Sequence, residues 1–255
     1  MRKDITTDSK DQLPQRHLTW PHCYNTRDLG GLPTAGGKTT RWRALIRSDI
    51  LTRLNQEGQQ ALLDYGVRTI IDLRSPREAE EEPLAFVNDV PALTYLNQPL
   101  EKYYPHVSDL ISQAQSRGEV YCIVLDHYPD AVAAVMRAVI ESPPGGIVIH
   151  CHAGKDRTGI VAALLLRLAG VPPEIVAADY AESQLRLWPL YEQIVAQAGD
   201  ADPVDFWLQP TATVDMMYMM LDHLETRYGG VAHYLQAAGL TSHEIDQLKG
   251  RLCPA

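Results

Sequence analysis

The chain has 255 residues, 45% of them hydrophobic and 22% charged, which is ample for one large domain or two small ones with a buried core. A formal net charge of −9 argues against a protein that wraps nucleic acid with a basic face, and leaves phosphate binding to a local site strong enough to oppose the overall field. No stretch is apolar for long enough to span a bilayer, so no membrane insertion is expected. Four scattered cysteines, Cys23, Cys122, Cys151 and Cys253, form no Cys-x-x-Cys pair and point to reduced thiols in a cytoplasm, with secretion without a signal peptide left open.

Residues 1–24 read as a polar N-terminal lead-in, because MRKDITTDSKDQLPQRH lacks the apolar run of a signal peptide. Residues 25–50 are rich in glycine and turn formers, and Gly36-Gly37 suggests a β-hairpin. EGQQALLDYG (57–66) has helical spacing and ends on Gly66, a C-cap residue. VRTIIDLRS (67–75) reads as a buried strand ending on Asp72 and Arg74. The acidic run REAEEEP (77–83) reads as a solvated face, and a short strand is expected near 92–100. AVAAVMRAVI (131–140) has helical spacing, SPPGG (142–146) breaks it, and IVIH (147–150) is a short apolar strand of the kind found inside a parallel sheet. RTGIVAALLLRLAG (157–170) is apolar nearly all round, so this helix should be buried. After residue 174 the chain reads as mostly helical, with one long helix over 213–230, a Met-rich stripe at 216–220 that packs into the core, and a capping box at Thr241 to Glu244 opening the last helix. The order predicts an α/β fold: a central, mostly parallel sheet flanked by helices, with a helical C-terminal half, in a single domain over 25–255.

The stretch HCHAGKDRTG (150–159) admits three readings. As a metal site it is weak: His150, Cys151 and His152 are consecutive, so their side chains alternate and cannot converge on one ion, and no partner cluster stands out elsewhere. As a nucleotide loop it lacks a first glycine at the required spacing, and at Gly37-Lys38-Thr39 that glycine falls on Leu32, without the strand before or the helix after. No metal and no cofactor are therefore expected.

The third reading fits position by position. A buried strand delivers Cys151 to the carboxyl end of the sheet, where α/β folds bind ligands. The loop His152, Ala153, Gly154, Lys155 and Asp156 then closes on Arg157, where a helix begins. Successive N–H groups in such a loop form a nest for an anion, and the helix N-terminus adds partial positive charge. Arg157 supplies a planar, bidentate grip on phosphate oxygens, and Gly154 permits backbone angles that a Cβ would resist. The same field favours the thiolate, the reactive form of a cysteine. Thr158 is placed to hydrogen-bond the Cys151 sulfur.

These residues resemble the His-Cys-x5-Arg-Ser/Thr signature of the cysteine-dependent protein tyrosine phosphatases. The fuller string is similar to the branch of bacterial and fungal enzymes that includes the mycobacterial secreted type B tyrosine phosphatase. NTRDLGG (25–31), LIRSDIL (45–51) and IIDLRSPRE (70–78) resemble that branch's other motifs in the same order. The resemblance implies a tyrosine-phosphatase-like fold and a metal-free hydrolysis of phosphotyrosine, extending to phosphoserine and phosphothreonine. By that likeness Cys151 attacks phosphorus, Arg157 and the loop amides hold the charge, and water releases phosphate. The general acid is open, since no Trp-Pro-Asp tripeptide occurs: Asp156 comes first, Asp72 second, with Asp126 and Asp130 further upstream. For Asp72 the alternative is to hold the loop or Arg157 in place. The phosphate-binding set is then His152, Ala153, Gly154, Lys155 and Thr158. Lys155 also resembles the lysine of related phosphoinositide phosphatases, so the substrate is either a phosphorylated protein or a phosphoinositide. A non-catalytic phosphate-binding module is the alternative from a different class. A rhodanese-like sulfur carrier would not demand Arg157 at this spacing.

Overall fold

The computed structural model describes residues 15–102, 104–198 and 209–253. Five strands form one sheet: β1 (Arg27–Asp28), β2 (Leu45–Ser48), β3 (Val67–Asp72), β4 (Thr94–Asn97) and β5 (Gly146–His150). Their order is β1-β2-β5-β3-β4, with β1 antiparallel to β2 and every other pair parallel. The expected mostly parallel sheet is present, and the last strand in sequence lies at its centre. Every residue of β5 is buried, because the sheet is covered on both faces.

The alternation of side chains along a strand splits that cover into two cores. Ile147 and Ile149 face a large helical core with Val132, Met136, Leu164 and Leu248, and Val148 faces a smaller one with Trp20, Leu51, Leu62 and Ile70. Burying each of these aliphatic chains contributes roughly 1.5–3 kcal/mol. The lead-in expected over residues 1–24 divides here. Residues 1–14 lie outside the described residues, but Leu18, Trp20 and Cys23 are buried in the smaller core, with Trp20 edge-on to Tyr65. These three apolar residues of a polar segment help to close the second face, together with Leu54, Leu84 and Leu93.

The helices form where their ends are satisfied. Asn55 caps α1 (Gln56–Asp64) by accepting from the Gly58 N–H. Ser75 and Glu78 form a capping box on α2 (Pro76–Glu81), with proline at the first turn. The stretch between β4 and β5 folds as α3 (Pro105–Gln113), α4 (Arg117–His127) and α5 (Pro129–Glu141). Then come α6 (Asp156–Leu168), which is buried nearly all round as its composition requires, and α7 (Pro173–Ala198), with Pro189 inside it. The helix expected over 213–230 is two helices, α8 (Val214–Tyr228) and α9 (Val231–Ala237), because Gly229 and Gly230 both take positive φ and end the first. Of its methionines, Met217 and Met220 are buried, whereas Met219 is 44% exposed. The last helix, α10 (Ser242–Leu252), opens on the expected box of Thr241 and Glu244. The turn at Gly36-Gly37 forms, but its flanks share only an isolated bridge, Pro33 with Thr39, and the true partner of β1 is β2.

Register places the function. Ser48, His150, Asp72 and Asn97 stand side by side at the carboxyl ends of four parallel strands. The loops that follow those strands therefore open on one rim.

Candidate active site

The loop from Cys151 to Asp156 runs from the end of β5 into the first turn of α6. Its carbonyls are drawn outward. Those of His150 and His152 accept from the Leu73 and Ile50 amides, and those of Ala153 and Gly154 accept from Asn25 Nδ2 at 3.0 and 3.1 Å. Arg47 Nη2 reaches the Gly154 and Lys155 carbonyls at 2.8 and 3.3 Å. With its carbonyls held on the outside, the loop turns its amides toward the inside, the arrangement of an anion nest. Gly154 has φ +64, and a Cβ there would stand 2.2 Å from the Ser48 carbonyl oxygen, so both the conformation and the close approach require glycine.

The outward bonds are themselves fixed by a buried cluster. Asp179 on α7 accepts from Arg47 Nη1 at 2.8 Å and from Arg27 Nε at 3.1 Å, and Arg16 also pairs with it. Burial opposes the charge of Asp179, but the three guanidiniums outweigh it and hold its carboxyl far below the usual range. Arg27 Nη1 donates to Asn25 Oδ1 at 2.6 Å, which leaves Asn25 Nδ2 for the loop. Asp49 accepts from the amides of Tyr24 and Asn25 and sets that side chain's backbone. Asn25, Arg27, Arg47 and Asp179 were not singled out individually from the sequence, although three of them lie in segments, 25–31 and 45–51, that carried a resemblance.

Cys151 is 3% exposed and lies at the base of a cavity of about 480 Å³. His152, Ala153, Lys155, Asp156 and Arg157 line the same cavity. Thr158 is buried, and its Oγ1 has no hydrogen-bond partner among the described residues. The two histidines diverge: His152 faces the cavity, while His150 is fully buried, with Nδ1 on the Cys151 carbonyl at 3.0 Å and Nε2 3.8 Å from Asp72. Val120, Tyr121 and Val124 of α4 and Leu187, Leu190 and Ile194 of α7 make the opposite walls apolar.

Arg157 is paired with a carboxylate. Its Nη1 and Nη2 donate to the two oxygens of Glu78 at 2.8 and 2.9 Å. Burial raises the Glu78 carboxyl, but the Arg157 fork and the Ser75 amide overcome that and bring it down to about 2. The acidic run of 77–83 is therefore not wholly a solvated face, since Glu78 from it both caps α2 and grips Arg157.

Lys155 is buried, donates to the Gln209 carbonyl at 2.6 Å, and lies 3.7 Å from Asp156. Burial lowers its ammonium to about 8, with Asp156 pulling the other way. Asp156 accepts from Tyr121 Oη at 2.5 Å and from Arg117 Nη1 at 3.2 and 3.3 Å. Arg117, a second buried cation beside Lys155, lies behind Asp156 and outside the cavity lining, and no sequence motif marks it. Its signal was only an arginine at the start of α4, a position usually solvated.

Asp72, expected as the second choice of acid, does not line the cavity. It is fully buried and accepts from Arg74 Nε and Nη2 and from Tyr95 Oη at 2.8 Å. Burial opposes its charge, yet the Arg74 hydrogen bonds and His150 keep its carboxyl below the usual range. Arg74 also donates to the Glu78 and Glu82 carbonyls, so Asp72 steadies α2 and, through Glu78, Arg157. Asp126 lies with His223, Tyr228 and Arg227, and Asp130 pairs with Lys102, both outside the cavity lining.

Comparison with known proteins bears on this site. The profile of a group described as "Tyrosine phosphatase family" matches residues 18–254. The chain is 33% identical over 228 residues to a tyrosine-protein phosphatase of Nostoc commune, covering 82% of this chain and 74% of that one. It is 27% identical over 274 residues to the triple specificity protein phosphatase PtpB of Mycobacterium tuberculosis, covering 91% and 97%.

Proposed function

This chain belongs to the tyrosine phosphatase family and is a protein-tyrosine phosphatase, and from that premise we propose how its residues divide the work. Cys151 is the nucleophile. Its thiolate attacks phosphorus in line and carries the phosphoryl group as phosphocysteine until water releases it. Arg157, the loop amides of His152 to Asp156 and the N-terminus of α6 hold the equatorial oxygens. Thr158 donates its hydroxyl, unpartnered among the described residues, to the sulfur and eases its departure. Lys155 adds a second cation to the cradle. Asp156, expected to donate a proton, instead holds Lys155 and Arg117 in register at the cavity floor, because its oxygens already accept from Arg117 and Tyr121. Asp72 acts through Arg74 and α2 as a positioning residue.

The observation that carries the reading is the outward pinning of four consecutive loop carbonyls around Cys151, from His152 to Lys155. It builds a cradle for a tetrahedral dianion. The apolar walls from α4 and α7 suit a phenyl ring entering above it. The experiment is hydrolysis of a phosphotyrosine peptide in chelator by wild type and Cys151→Ser. Metal-independent turnover that disappears in the variant, with the peptide still bound, is the expected result. Turnover retained by the variant contradicts the mechanism.

The finer specificity is also a proposal. Buried Lys155 beside Arg157 supports a broad range that takes in phosphoserine, phosphothreonine and phosphoinositide headgroups, and the M. tuberculosis relative carries triple specificity in its name. Assay of the same preparation on the three classes decides it. The four free cysteines support a reducing compartment such as the cytoplasm. Among the described residues no helix is long and apolar enough to cross a membrane. One phosphatase domain over 25–255, extended by the packed residues 17–24, fits the two cores on a shared sheet.

A further inference from the structure

We propose that Glu101 donates the proton to the leaving oxygen, an assignment that rests on the Cys151 mechanism above. In-line attack sets the direction. Sulfur approaches phosphorus from the loop, so the bond that breaks points the opposite way, out across the cavity. The donor must therefore face the loop from another element. Asp156 belongs to the loop and first turn of α6, and its oxygens are occupied; Asp72 lies beneath.

Glu101 is on the loop after β4, one of the four that open on the rim, and it lines the cavity with Cys151 and Arg157. Its segment is anchored. Gln98 N–H donates to the Asp72 carbonyl at 2.8 Å, Leu100 N–H donates to Leu73, and Leu100 itself is fully buried. The next residue is thereby delivered to the cavity mouth. Among the described residues no hydrogen bond or ion pair engages its carboxyl, unlike Glu78, Asp156 and Asp72. Glu101 is exposed at the cavity mouth, where partial desolvation raises its carboxyl above the usual range, Arg157 pulls it down, and Asp156 and Glu78 push it up again, the balance lying upward. A carboxyl so placed keeps its proton nearer to neutral pH.

The step balances. Cys151 sulfur forms the S–P bond, the P–O(aryl) bond breaks, and its electron pair takes the Glu101 proton, releasing a phenol and leaving a carboxylate. In the second half water attacks phosphorus, its proton passes to Glu101, and the S–P bond breaks to restore the thiolate.

The test compares a poor leaving group, phenyl phosphate, with a good one, 2,4-dinitrophenyl phosphate, in wild type, Glu101→Gln, Glu101→Asp, Asp156→Asn and Cys151→Ser. Glu101→Gln should lower kcat/KM, which reports phosphocysteine formation alone, by about 10²–10³-fold on phenyl phosphate and stay within about tenfold of wild type on the dinitrophenyl ester. Glu101→Asp should recover part of the loss, and Asp156→Asn should lose a similar factor on both esters. A wild-type kcat/KM for Glu101→Gln on phenyl phosphate, or equal losses of kcat/KM on both esters, overturns the assignment. Cys151→Ser separates the two failures: if it is inactive while Glu101→Gln is indifferent, only Glu101 falls, and if it turns over, the mechanism beneath falls too.

Discussion

Two arginine–carboxylate assemblies flank the phosphate loop, and they are built for opposite purposes. Outside it, Arg27 and Arg47 meet Asp179 with all three side chains at most 2% exposed, and their terminal guanidinium nitrogens donate to protein oxygens. Inside it, Arg157 meets Glu78 with side chains 18% and 36% exposed, on the wall of an open cavity. The first assembly fixes where the loop carbonyls go. In the proposed mechanism the second keeps a guanidinium flat and ready until a phosphate shares it. The same chemical pair thus serves as scaffold when sealed and as working part when open, and the difference lies in desolvation rather than in distance.

Breaking the sealed side should have the largest effect. Asp179→Asn leaves Arg27 and Arg47 buried without their counter-charge, and should cost about 3–5 kcal/mol of stability, read by denaturant unfolding. If that variant unfolds like wild type, the scaffold role is wrong.

Next comes the cation between the two assemblies. Lys155 titrates near 8, facing Asp156, Arg117 and Cys151, so it loses its charge as pH rises through that value. kcat/KM should decline above about pH 8, and Lys155→Arg should move that decline to higher pH. An unchanged profile in the variant would remove Lys155 from phosphate binding.

The smallest effect belongs to the open side. Glu78 titrates near 2 when folded against 4.5 for the ordinary group, so its contribution to stability is present above about 4.5 and fades as pH falls toward 2. Solvent screens a pair this exposed, so Glu78→Gln should cost only about 1 kcal/mol or less at neutral pH and should flatten that acid window. Its clearer mark should be a raised KM, as Arg157 loses its orientation. A loss as large as that of Asp179→Asn would erase the distinction between the two sides.

What the sequence made legible follows the same division. Cys151, Gly154, Arg157 and Thr158 lie within one short stretch, so a single loop spells out the proposed cradle, and the apolar runs of β3, β5 and α6 announce the parallel sheet around it. Glu78 and Glu101 reach the cavity from two other elements, and Arg117 backs Asp156 from a third, so only the folded register brings them there. Glu78 was hidden in an acidic run whose other members are solvated. Asp72 reads in sequence either as a second candidate acid or as a residue holding the loop or Arg157, and its burial against Arg74 two residues on supports the second role. Asp179 was silent because its partners lie more than 130 residues away in sequence.

The central claim is that Cys151 carries the phosphoryl group. Rapid acid quench of the enzyme during turnover of a phosphotyrosine peptide, followed by peptide mapping in a mass spectrometer, tests it most directly. The expected result is a transient phosphate increment on the peptide containing Cys151, absent in Cys151→Ser and longer-lived at low pH. Phosphate found instead on His152, or turnover with no phosphorylated enzyme at any time point while Cys151→Ser remains active, would contradict it.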